Sequence, residues 1–213
     1  MVVANRKCWW RSGDAMNAAG FFQAKFQDHL RVVEETRLGL EEPFKGLGQA
    51  LIEVFRRSGK LMFFGNGGSA SDAQHLATEF VVRFTVNRKA LPAIALTTDT
   101  SILTAIGNDF GFDHIFERQV EALCTSKDLA IGISTSGKSE NVARGLLAAR
   151  KLGAVTAALL GGDGGRIKEL ADYALIVPSP VTARIQEVHI LLGHILCDYV
   201  EEQLFPDAQK TKA

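Results

Sequence analysis

Three stretches of this sequence hold residues able to do chemistry. The first, Gly65-Asn66-Gly67-Gly68-Ser69, places three glycines in four positions between the apolar run LMFF and a helical pattern. Glycine reaches backbone conformations that other residues resist, so the N–H groups of such a turn can close on an anion. A plain tight turn would account for the glycines, but Asn66 and Ser69 add side-chain hydrogen bonding at a helix start. The second, Ser134-Thr135-Ser136-Gly137-Lys138-Ser139, sets four hydroxyls ahead of a helix beginning near Glu140. A serine N-cap uses one or two hydroxyls. Four, next to free N–H groups and the positive end of a helix dipole, point to phosphate.

The third group is spread over two helical patterns. His75 and Glu79 are four residues apart, and Arg83 follows four later. At about 100° per residue the three share a face. Such a stripe is by itself ordinary for an exposed helix. It gains meaning from Gln186, His189 and His194, which interrupt the apolar pattern IQEVHILLGHILCDYV. Gln186 and His194 lie about 80° apart around the axis and can reach one site. At least one of the two histidines is expected to be a satisfied core residue. A glutamate and a histidine on either side of a held sugar phosphate are the base and acid that aldose–ketose exchange requires. His, Glu, His and a glutamine oxygen also form a plausible mixed zinc set, with the ion polarising a carbonyl and its neighbouring hydroxyl.

Residues Gly132 to Ser139, GISTSGKS, also satisfy the nucleotide-binding pattern G-x-x-x-x-G-K-[ST]. That reading ranks lower. The run LAIGI assigns Gly132 to a strand, and no apolar strand ends in the aspartate that such enzymes place behind Mg²⁺.

The elements that must position these groups follow from periodicity. Residues 1–14 read as a loose extension that leaves Trp9 and Trp10 unexplained. Residues 15–58 read as a helical arm broken at Pro43 and Gly46, residues 59–207 as one α/β domain, and 208–213 as a tail. Within the domain the runs LMFF, LPAIAL, DLAIGIS, AVTAALL and YALIVP alternate with helices predicted over 70–84, 99–107, 139–152, 165–171 and 182–204. Strands alternating with helices imply a parallel sheet covered on both faces, its strands near-continuously apolar. Ligands of such sheets sit beyond the carboxyl ends of the strands, which is where both loops fall.

The bulk properties exclude several classes. Lysine plus arginine and aspartate plus glutamate balance at 24 each, so the footprint of a nucleic-acid or anionic-membrane binder is missing. The three cysteines, Cys8, Cys124 and Cys197, form no CxxC, which argues against a disulfide framework or a thiolate metal site. No stretch has signal-peptide or membrane-spanning length, and a cytoplasmic location is expected.

Together GNGGSASDAQHLATEF, PAIALTTDTSILTAIGNDFGF, ISTSGKS and TARIQEVHILLGHILCD resemble the sugar isomerase (SIS) superfamily, and within it the phosphoheptose isomerases, over residues 40–205. The resemblance implies a flavodoxin-like five-stranded parallel sheet with helices on both faces and an N-terminal helical arm. It implies conversion of sedoheptulose 7-phosphate to D-glycero-D-manno-heptose 7-phosphate, the first step of ADP-heptose synthesis. It also implies a homotetramer with sites at subunit contacts. By the same likeness, Asn66, Gly67, Gly68, Ser69, Arg83, Asn108 and Asp109 line the sugar, and Ser134, Thr135, Ser136 and Ser139 hold the phosphate. His75, Glu79, Gln186 and His194 are zinc ligands, with Glu79 also the base and His194 the acid. Two departures stand out. Lys138 occupies the place of an asparagine in the usual STSGNS, and the N-terminal arm is longer than the family's. Some proteins resembling this family bind a replication initiator and act as assembly platforms. They share the ARIQE stretch and an LF-rich end, here Leu204-Phe205-Pro206. A platform has no need of Glu79 and His194 in register with His75 and Gln186.

Overall fold

The computed structural model describes residues 17–208. Trp9, Trp10 and the residue 1–14 extension lie outside that range. Two helices, α1 (Ala18–Gly39) and α2 (Glu41–Arg56), meet at Leu40. The predicted break at Pro43 and Gly46 is therefore misplaced. Pro43 falls in the first turn of α2, where its missing N–H has no acceptor to lose. Gly46 lies in the next turn, close against the Tyr173 ring.

Five strands follow: β1 (Leu61–Gly65), β2 (Ala93–Ala95), β3 (Leu129–Ser134), β4 (Val155–Gly161) and β5 (Tyr173–Val177). All pair in parallel in the order β2-β1-β3-β4-β5. The intervening helices are α3 (Gly68–Val81), α4 (Thr100–Asp109), α5 (Glu117–Leu123) and α6 (Glu140–Lys151), with a 3₁₀ turn at Gly165–Leu170, and α7 (Thr182–Leu204) follows β5. The seven-residue α5 is absent from the sequence prediction. It is too short for an amphipathic repeat to stand out.

Alternation along the buried strands builds two apolar layers. Leu61 and Phe63 join Ile131, Leu159 and Leu175 under α2, α3 and α7. Met62 and Phe64 face the other way, with Ala130, Ala158, Phe116 and Leu146 under α5 and α6. Both faces are covered, as an all-parallel sheet requires. The strand order reverses between β1 and β3, so the loops that follow these two strands open side by side at the switch point of the sheet.

Candidate active site at the sheet switch point

The glycine loop turns from β1 into α3 through Gly67, at φ +56°. Its neighbour Gly68 matters for lack of a side chain, since a Cβ there would lie 2.3 Å from Gln186 Nε2. Gln186 thus packs its amide against the start of α3. The serine loop turns through Gly137, at φ +63°, whose carbonyl accepts from the Ile167 N–H at 3.1 Å. A Cβ at 137 would meet the Gly164 carbonyl at 2.1 Å. Ser134 Oγ and Ser139 Oγ lie 3.0 Å apart, and Ser136 Oγ accepts from the Lys138 N–H at 3.2 Å. Ser136 is exposed and Thr135 and Ser139 are half-buried, leaving hydroxyls turned outward at the start of α6. Gly132 is not part of this loop. It pairs within β3 against Phe64 and Ala158, so the turn is too short for the nucleotide-binding reading.

The two loops are tied by a contact that the sequence did not disclose. Asn66 and Asn141 exchange reciprocal amide hydrogen bonds, both 2.9 Å, with Asn141 buried.

One helix face away, His75 Nε2 lies 2.8 Å from His194 Nε2 and 3.3 Å from Glu79 Oε1. Ligand atoms of all three residues fall within 4.8 Å of one another. Two facing imidazole nitrogens cannot both carry a proton, so one presents a lone pair. Two ligands of one zinc ion span at most about 4.2 Å, and the 2.8 and 3.3 Å spacings lie inside that limit. The donor types are those a divalent metal takes, and the three ligand atoms gather within 4.8 Å of one another. Gln186 lies about 12 Å along the α7 axis from His194 and joins them only if both side chains lean together. The His194 ring is held between His75 and Phe84, with ring centroids 5.0 and 5.2 Å away.

One placement differs from expectation. Arg83 is not on the face of His75 and Glu79, because α3 ends at Val81. The next N–H groups, of Phe84, Thr85 and Val86, are captured by the Glu201 carboxylate at 2.7 to 3.0 Å, which ends the helix. Asn108 and Asp109 close the last turn of α4, exposed, with a 2.8 Å hydrogen bond to each other. Ten residues of helix carry them about 15 Å from Asp99 at its start.

Arg88 and Glu201 were also missed. Their side chains are only 1% exposed, paired at 2.7 Å. Arg88 further caps the carbonyls of Glu79 and Phe80, both at 2.8 Å, and so fixes the end of α3 that carries Glu79. No short-range pattern marks two residues 113 positions apart in sequence.

His189 is the core histidine, bonded at one ring nitrogen only. Fully buried, it meets the Leu160 carbonyl through Nε2 at 3.0 Å, while Nδ1 has no partner among the described residues. Burial lowers its pKa to about 4 from 6.5. The unfolded chain therefore binds a proton that the folded chain refuses. Stability is complete above pH 6.5 and is lost as pH falls towards 4, by about 3 kcal/mol. Thermal melts across that range check it, and His189→Gln should remove this part of the pH dependence.

A five-stranded parallel sheet with a glycine loop and a serine loop side by side at its switch point, and a His75/Glu79/His194 cluster on the adjoining helices, has the architecture of the SIS fold. Residues 22–161 match the profile of the SIS domain family. The phosphoheptose isomerase of Paramagnetospirillum magneticum is 54% identical over 90% of this chain and 100% of its own. That of Aquifex aeolicus is 64% identical over 68% of this chain and 76% of its own. The solved phosphoheptose isomerase of Neisseria gonorrhoeae superposes with a TM-score of 0.83 at 44% identity, covering 87% of this chain and all of the other. The chain belongs to the phosphoheptose isomerases of the SIS domain family, and it is an isomerase.

Proposed function

We propose that this isomerase interconverts D-sedoheptulose 7-phosphate and D-glycero-D-manno-heptose 7-phosphate through a 1,2-enediol. The observation that carries the reading is the gathering of His75, Glu79 and His194 within 4.8 Å, next to loops suited to a phosphorylated sugar. Relatives bearing the phosphoheptose isomerase name support the substrate. Ser134, Thr135, Ser136 and Ser139 take the 7-phosphate with the N–H groups opening α6. Asn66, Gly67, Gly68 and Ser69 line the sugar. Glu79 removes the C1 proton of the ketose, whose electron pair becomes part of the C1–C2 double bond. His194 gives a proton to the C2 oxygen. Return of a proton to C2 and loss of one from the C1 oxygen completes the aldose. The assembly-platform reading leaves this acid–base cluster without a use.

Zinc is the ion proposed for His75, Glu79, Gln186 and His194, and when bound it polarises the carbonyl and the adjacent hydroxyl. Dialysis against a chelator should lower turnover, and added zinc should restore it. Full activity in demonstrably metal-free protein would remove the metal from the account.

The Ser136→Ala, Ser139→Ala double variant should raise KM for the phosphosugar about tenfold or more, because two neutral donors to a dianion are lost. An unchanged KM would sink the phosphate assignment.

The active form proposed is a cytoplasmic homotetramer catalysing the first step of ADP-heptose synthesis. Over the described residues, α1 and α2 make up the arm assigned to 15–58, ahead of the α/β domain assigned to 59–207. Phe21, Phe22, Phe26 and Leu30 of α1 are 49 to 62% exposed, an apolar face that supports burial against another subunit. In this reading Arg83, beyond the end of α3, and Asn108 and Asp109, exposed at the end of α4, reach the sugar at such a contact.

A further inference from the structure

The lysine that gives the serine loop its nucleotide-binding look has no role in the chemistry above. Its surroundings supply one. The acidic groups near the start of α6 are already engaged. Glu140, the first residue of the helix, is bonded by Arg144 Nε at 2.9 Å and by Arg166. Asp163 accepts from the Gly165 N–H at 2.9 Å, a bond that, with the fields of Lys138 and Lys168, holds its carboxyl below the usual range. Lys138 is exposed, and its side chain forms no ion pair within 4 Å among the described residues. Its backbone is fixed, since its N–H donates to Ser136 Oγ and the preceding Gly137 is locked onto the Gly164–Gly165 turn. The lysine therefore stands on a rigid turn, next to Ser139 and two residues from Ser136, with no ion-pair partner within 4 Å among the described residues.

We propose that Lys138 is the specificity-determining cation of the phosphate cradle, drawing in the dianionic phosphate of the substrate by charge. This rests on the assignment of the serine loop to phosphate. The other hydroxyl and N–H donors are neutral, so a lysine here makes binding depend on ionic strength, whereas a cradle of neutral donors alone is much less sensitive. An ammonium is a point charge on a flexible stem and needs no fixed geometry to act in this way.

The test compares wild type, Lys138→Asn and Lys138→Arg by Michaelis kinetics with sedoheptulose 7-phosphate at about 20 and 300 mM salt. Thermal stabilisation by inorganic phosphate is measured in parallel. At low salt the asparagine variant should show KM raised about fivefold, with kcat within twofold of wild type. Its KM should barely respond to salt, while the wild type and the arginine variant weaken as salt rises. Phosphate stabilisation should fall in the same order. Equal KM and equal salt response in wild type and Lys138→Asn would overturn the proposal. Tight Mg-ATP binding that depends on Lys138 would overturn it too, by giving the lysine to a nucleotide. If wild type fails to turn over the sugar yet phosphate stabilises it in a Lys138-dependent, salt-sensitive way, the substrate assignment falls and the role of Lys138 stands.

Discussion

Replacing Glu79 by glutamine should lower turnover of sedoheptulose 7-phosphate by at least about a hundredfold, the scale of a lost general base. The change is nearly isosteric. It keeps an oxygen beside His75, 3.3 Å away in the native protein, but removes the group that accepts the proton. Glu79 is only partly buried and pairs at the surface end of the cluster, so the melting temperature should move by little. Kinetics, a thermal melt and metal content on the same preparation separate the two roles open to this carboxylate. Zinc retained with turnover lost identifies the base. Zinc and turnover lost together identify a ligand instead. Normal turnover would show that Glu79 is neither.

The second large effect is on stability and falls far from the reacting atoms. Glu201→Ala should cost about 3–5 kcal/mol, because it strands the buried Arg88 guanidinium and frees three backbone N–H groups at once. For a chain of this size that lowers the melting temperature on the order of 10 °C. Adding Arg88→Met should recover part of the loss, since the orphaned charge is the larger penalty. Burial alone would raise the Glu201 pKa, but the N–H groups of Phe84, Thr85 and Val86 and the Arg88 side chain outweigh it and hold it below 4.5. The stabilisation is therefore present above pH 4.5 and disappears as pH falls through the lowered folded value. A melting temperature within 2 °C of wild type would contradict the ledger, ~2 °C being under 1 kcal/mol here.

What the sequence disclosed and what it hid divide by range. The apolar runs at β1, β3 and β4 are buried on both faces, so composition alone marks them, and with them the two loops that follow β1 and β3. The register of His75 with Glu79 was also readable, because both residues sit in one helix. Arg83 was not, since helical spacing continues through Val82 in the sequence and only a carboxylate more than a hundred residues away stops it. The Asn66–Asn141 clasp is hidden for the same reason, because neither asparagine has a local pattern that names its partner. Pro43 misled in the opposite direction. A proline reads as a break unless the helix start is known to within one turn, and here it begins at Glu41.

Whether Glu79 and His194 serve a heptose phosphate held by the serine loop is tested most directly by supplying that sugar. Purified zinc-loaded protein should convert D-sedoheptulose 7-phosphate to D-glycero-D-manno-heptose 7-phosphate. Starting from either sugar it should reach the same mixture, with exchange of the carbon-bound proton at C2 in deuterated water. Absence of both product and exchange in folded, zinc-loaded protein would contradict that role.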